Sequence, residues 1–150
     1  MRAAEIRGGW GLDNLVLAER PDPVAGPGQV LVRVGAVSLN YRDLLTVQGV
    51  YNPKQPLPLV PCSDGAGVVE AVGPGVRRVK PGDRVCSVFA QRWLAGAPTR
   101  DKIRSTLGGP LDGMLAERVV LSEEGVVRTQ SQRYPVKGDC LARPSRFLLP

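Results

Sequence analysis

Apolar and polar positions alternate with a period of two along much of this chain, which predicts short strands rather than long helices. Residues 1–6 and 14–19 are two brief apolar runs of strand character. The clearest strand is 30–37, where Val30, Val32, Val34 and Ala36 fall on one face. Its other face, with Leu31, Arg33, Gly35 and Val37, is only partly polar and is expected to be half covered. Residues 65–72, 84–89, 115–121 and 125–128 read as further strands. The stretch 20–29, RPDPVAGPGQ, is a turn-rich connector.

Two segments break the alternation. In NYRDLLTVQG, Tyr41, Leu44, Leu45 and Gln48 recur at helical spacing and Gly49 sits where a helix stops. Asn40 is a good N-cap, and Asp43 three residues later favours the first turn, so a two-turn helix is predicted. Further on, Thr99 caps a short helix in which Ile103 and Leu107 share a face, ended by Gly108-Gly109-Pro110. Prolines at 53, 56, 58 and 61 make 50–61 a loop crossing the surface. Lys80-Pro81-Gly82-Asp83 fits a type II turn in which Asp83 bonds nearby amides. Short strands, frequent turns and one or two short helices together predict a mainly β fold, a closed or partly open barrel.

Composition agrees with one domain. The chain has 150 residues, 43% hydrophobic and 23% charged, with 18 glycines and 14 prolines. No apolar run is long enough for a membrane span, and no secretory leader is visible, so a cytoplasmic protein is expected. The net charge of +6 invites a nucleic-acid reading. Half of that excess lies in 129–150, where Arg133, Lys137, Arg143 and Arg146 face only Asp139. Elsewhere the signs are interspersed, the single basic cluster is Arg77-Arg78 with Lys80, and aromatics are scarce, so nucleic acid is not the expected partner. The segment 129–150 also lacks sustained periodicity and is expected to be a loosely ordered tail.

Histidine is absent, which excludes Ser-His-Asp or Cys-His catalysis within the chain and any imidazole-based metal site. Cys62, Cys86 and Cys140 form no C-x-x-C pair and are expected to be reduced, mostly buried thiols. The glycine-rich DGAGVVEAVGPG is not a dinucleotide-binding loop: Glu70 stands where the third glycine belongs, and a strand follows instead of a helix. Those glycines are expected to let the backbone bend tightly at a barrel corner.

Three motifs in order, SLNYRDLLTVQGVY, PLVPCSDGAGVVEAVGPGVRRVKPGDRV and GGPLDGMLAERVVL, resemble the N-terminal half of medium-chain dehydrogenases/reductases. The nearest likeness is to their zinc-free, quinone-oxidoreductase and alcohol-dehydrogenase-like branch. The resemblance covers residues 1–128 and implies a GroES-like, partly open β-barrel there. It also implies a following Rossmann domain that binds NAD(P)H, with the active site in the cleft between the two. In zinc-dependent relatives a cysteine ligand falls at Asn40 and a Gly-His-Glu motif at Cys62-Ser63-Asp64, while a cysteine-rich structural lobe falls near 90–108, which here holds no cysteine. No metal is therefore expected.

By the same resemblance, Asn40 and Tyr41 are the catalytic candidates, facing nicotinamide and substrate, and Arg42 approaches the cofactor phosphates. Tyr51 and Ser63 border the pocket of a small carbonyl or quinone substrate. The plain alternatives are that Asn40 and Asp43 only cap a helix, that Tyr41 packs in the core and that Arg42 is solvated. After residue 128 the likeness ends, so the chain reads as truncated before its Rossmann domain and inactive alone. The competing reading is a non-catalytic GroES-like binding module that self-associates as a homo-oligomer.

Overall fold

A computed structural model describes residues 1–129; the basic segment beyond, with Cys140, lies outside the described residues. Two antiparallel sheets carry the fold. The smaller pairs β1 (Arg2–Ile6) with β2 (Leu15–Glu19). The larger has five strands: β3 (Gln29–Ser38), β4 (Asp64–Val72), β5 (Arg84–Ser87), β6 (Arg118–Ser122) and β7 (Val126–Arg128). Their order is β6-β3-β4-β5-β7, with every pairing antiparallel and no closure between the two ends. This is the mainly β, partly open architecture that the alternation predicts. The two short helices are α1 (Tyr41–Val47) and α2 (Arg100–Ile103).

Alternate positions of neighbouring strands meet inside the sheet. Val30 and Val32 of β3 belong to one buried cluster with Val69, Val85, Met114, Leu121 and Val126. Each such side chain taken out of water contributes on the order of 1.5–3 kcal/mol, which makes this valine layer the main source of stability. β3 does not keep one face inward throughout. Its pairing steps from Val34↔Gly67 to Ala36↔Ala66, leaving Gly35 as a bulge. The bulge reverses the alternation: Ala36, expected on the valine face, is exposed, and Val37 packs against the core instead. Gly67 is needed for close approach rather than for a bend, because a Cβ there would lie 2.2 Å from the Arg33 carbonyl oxygen.

Three further expectations are corrected. The buried face of α1 is Asp43, Thr46 and Val47, whereas Tyr41, Leu44 and Gln48 are exposed. Two turns of helix are too short for apolar spacing to fix the docking side, and Val47 meets Ile6 and Leu59. The loop before β4 enters the core at its end: Leu59, Val60 and Cys62 are buried, and Leu59 exchanges two backbone hydrogen bonds with Ile6 (2.8 and 3.1 Å). The prolines merely flank residues whose amides are paired. Finally, α2 stops after one turn at Ile103, which is exposed while Leu107 is buried, so the two share no face. Its cap is as expected, with Thr99 Oγ1 accepting from the Lys102 amide at 3.4 Å.

Local turn chemistry is as read from the sequence. Gly82 has φ +91°, the Asp83 amide donates to the Lys80 carbonyl at 3.1 Å, and the Asp83 carboxylate accepts from the Lys80 amide at 3.1 Å. Arg77 and Arg78 are less free than a solvated cluster: both backbone amides donate to the Glu123 carboxylate, and Arg78 also pairs with Glu124 at 2.5 Å.

Candidate functional site

The end of β3 lies beside the start of β4, with Ser38 opposite Asp64. That register brings the N-terminus of α1 to the segment 62–64. Asn40 caps the helix as expected: its backbone N–H donates to Asp43 Oδ2 at 2.8 Å. Its carboxamide does something the cap does not require, donating from Nδ2 to Asp64 Oδ2 at 2.6 Å. The Ser63 hydroxyl donates to the same oxygen at 2.9 Å. Asn40 and Ser63 are thus joined through one carboxylate.

Burial sets the electrostatics of this cluster. Asp43 is buried, and one of its oxygens has no hydrogen-bond partner among the described residues. Burial raises its carboxyl above the ordinary carboxylate range, and the nearby Asp64 charge adds to that, against the opposing bond from Asn40 and the Arg42 charge. The Cys62 thiol is pushed up to about 12, first by burial and then by the charges of Asp43 and Asp64, so it is no thiolate near neutral pH. Cys62 also holds φ +71°, a left-handed conformation that a side chain disfavours. Ser87 Oγ ties the segment down, donating to the Ser63 carbonyl (3.1 Å) and accepting from the Gly65 amide (3.0 Å).

The sequence pattern of the alcohol dehydrogenase GroES-like domain matches residues 26–131. The chain belongs to this family. A zinc-type alcohol dehydrogenase-like protein of Schizosaccharomyces pombe is 42% identical over 118 residues, covering 78% of this chain and 34% of that protein. A chloroplastic quinone oxidoreductase of Triphysaria versicolor is 38% identical over 92 residues, covering 59% of this chain and 28% of its own length. Among solved structures, a cobalt- and zinc-bound thermostable alcohol dehydrogenase from Pyrobaculum aerophilum is similar with a TM-score of 0.71 and 34% identity, over 87% of this chain and 42% of that one. The chain therefore spans about a third of the length of such relatives, and it corresponds to the N-terminal GroES-like domain of medium-chain dehydrogenases/reductases.

Within this GroES-like domain the remaining candidates occupy different settings. Tyr41 is 75% exposed, so it is not a core residue, and it stands on the opposite side of α1 from Asp43. Ser63 is 2% exposed, with its hydroxyl turned to Asp64. Arg42 is half-buried. Its terminal nitrogens donate to the carbonyls of Leu107 (3.1 Å) and Gly109 (2.7 Å). Its guanidinium carbon lies 4.6 Å from the Tyr51 ring centroid and 4.9 Å from that of Phe89. The structure thus joins Asn40 to Ser63 and Arg42 to Tyr51. Asp64, Ser87 and Phe89 complete these clusters; the sequence reading names Asp64 only as a position of the zinc motif and gives Ser87 and Phe89 no role. Their only signals there were Asp64 in the motif after Cys62 and the placing of Ser87 and Phe89 late in a strand.

Proposed function

We propose that this GroES-like domain, residues 1–128 with 129–150 as a divergent extension, is the substrate-side half of a zinc-free, NAD(P)H-dependent oxidoreductase of quinone or alcohol/aldehyde type. The observation that carries the reading is the carboxamide of Asn40. One of its two N–H groups is committed to Asp64, which fixes the plane of the amide and leaves the second N–H free to donate. A fixed donor of this kind polarises a carbonyl oxygen as negative charge develops on it. Tyr41, the next residue, and Tyr51 are both exposed, and we assign them by the family resemblance to a phenolic hydroxyl near the substrate and to the border of its pocket.

Zinc does not fit the donors present. The amide nitrogen of Asn40 and the hydroxyl of Ser63, which stand at two of the ligand positions of the zinc-dependent relatives, are weak zinc donors and both donate to Asp64, and no three His, Cys, Asp or Glu side chains converge among the described residues. The nicotinamide cofactor that the family implies would, when bound, supply the hydride. Within the described residues no glycine-rich turn opens a helix to hold it; Gly65 and Gly67 lie inside β4. Hydride transfer requires donor and acceptor at near-attack distance, so the 150-residue chain alone is expected to be inactive.

The test pairs the chain with a separately expressed Rossmann domain from a relative and follows NADPH oxidation with 1,4-benzoquinone and with an aldehyde. Turnover is expected only when both halves are present, and Asn40→Ala is expected to lower kcat by about 10²–10³. Turnover by the chain alone, or an Asn40→Ala pair as fast as the unmodified one, overturns the reading. A second reading, self-association without catalysis, is favoured by the exposed Leu39, Tyr41, Leu44 and Val50 around α1. Light scattering over a concentration series decides it: a homo-oligomer supports this alternative, and a monomer removes it. In either case no helix among the described residues is long and apolar enough to cross a membrane.

A further inference from the structure

Arg42 sits where three separate loops meet, and its contacts are more specific than a surface arginine requires. The planar guanidinium lies over two rings, Tyr51 from the loop after α1 and Phe89 from the end of the β5 segment, at 4.6 and 4.9 Å. Its edge donates to Leu107 and Gly109 in a third loop. The Leu107 amide in turn donates to the Phe89 carbonyl at 3.0 Å, so two of the three loops are also tied to each other. Each terminal nitrogen thus donates to a carbonyl of the third loop, which fixes the guanidinium in place. A cation held over two rings while its edge donates directed hydrogen bonds is what a guanidinium offers and an ammonium does not.

We propose that Arg42 is a positioning residue: it fixes the spacing of Tyr51 and Phe89 as the two aromatic walls of the substrate mouth. The proposal rests on the substrate-side reading above. This role is exerted through the rings and is distinct from the cofactor-phosphate contact expected of Arg42. Both rings keep part of their surface open, as walls of a binding site must. A planar conjugated carbonyl entering beside them meets π faces whose separation is set by the arginine.

The experiment uses the full 150-residue chain, isotope-labelled, with 1,4-naphthoquinone as the probe. In the unmodified chain, Overhauser contacts are expected from the Arg42 side chain to both rings, and naphthoquinone is expected to shift the Tyr51 and Phe89 resonances. Arg42→Lys keeps the charge, and Arg42→Gln keeps a hydrogen-bond donor. Each is expected to lose the ring contacts, to exchange the Leu107 amide about tenfold faster while the Val32 amide is unchanged, and to bind naphthoquinone about tenfold more weakly. If either variant fails to fold, Phe89→Leu takes its place and is expected to shift Tyr51 and weaken the probe in the same direction. Folded variants that keep the ring environment and the naphthoquinone affinity of the unmodified chain overturn the assignment to Arg42 alone. An unmodified chain whose ring contacts are present but whose resonances ignore naphthoquinone overturns the substrate-side reading beneath it.

Discussion

Replacing Glu5 by glutamine keeps the shape of a side chain that is 0% exposed and removes its charge. Glu5 lies on β1, and its carboxylate accepts from Arg7 on one oxygen and from Arg20 Nε on the other, the latter at 2.6 Å. Arg20 continues to Asp112 at 2.6 Å, and the second oxygen of Asp112 accepts from the Val60 amide at 2.9 Å. The chain of contacts thus links both strands of the small sheet to the segment leading into Cys62-Ser63-Asp64. In the glutamine variant one guanidinium faces an NH₂ group instead of an acceptor. Breaking a buried ion pair costs about 3–5 kcal/mol. Arg7 is 59% exposed, so its share is screened and falls below about 1 kcal/mol. Arg20 keeps Asp112, which moderates the loss further, and a net destabilisation of about 3 kcal/mol is expected. With a urea m-value of about 2 kcal/mol/M, the midpoint falls by about 1.5 M with no change in slope.

The same carboxylate makes a pH prediction. Burial alone raises its pKa, but hydrogen bonds and charge from Arg7 and Arg20 outweigh that and hold it below its ordinary value of 4.5. A carboxyl lowered on folding stabilises fully above the unfolded value and loses its contribution as pH falls through the folded one. The gap between the unmodified chain and Glu5→Gln is therefore expected to be constant near neutrality and to close below pH 4.5. Urea melts at several pH values measure it. A midpoint shift under about 0.3 M at pH 7, or a gap that widens in acid, refutes the reasoning.

Other positions give sharper contrasts. Gly67→Ala places a Cβ 2.2 Å from the Arg33 carbonyl, an atom fixed in the sheet, and is expected to cost about 3 kcal/mol in the same urea assay. At Cys62, whose φ is +71°, glycine is expected to be more stable than alanine by about 1 kcal/mol although it fills less space; the reverse order would show that packing outweighs backbone strain there. Alkylation at pH 8, mapped by mass spectrometry, is expected to leave Cys62 unlabelled in the folded chain and label it in urea, because its thiol is buried and pushed up to about 12.

The parts of this fold that the sequence discloses are those governed by neighbours along the chain. The β3 alternation is readable through Val34, and Asn40 with Asp43 announces the helix start because the cap spans three residues. The type II turn at Gly82 is equally local. What escapes notice is decided across space. Gly35 turns into a bulge only because β3 must stay paired with β4 beyond it, and this reverses Ala36 and Val37. The buried side of α1 is chosen by Ile6 and Leu59, and not by the spacing of Tyr41 and Leu44. The site divides the same way. Asn40 is legible as a cap, but its carboxamide partner lies 24 residues away, and the carbonyls that hold Arg42 lie 65 and 67 away. No periodicity encodes such meetings. The network from Glu5 to Asp112 is invisible for the same reason.

The claim beneath this account is that a carboxylate-held amide stands where zinc-dependent relatives bind metal. Calorimetric titration of the chelator-treated chain with Zn²⁺ at pH 7.5 (on the order of physiological pH), backed by elemental analysis of untreated protein, tests it most directly. No stoichiometric uptake is expected, and Asp64→Asn is expected to leave the titration unchanged. One tightly bound equivalent that disappears in Asp64→Asn or Cys62→Ser would contradict it.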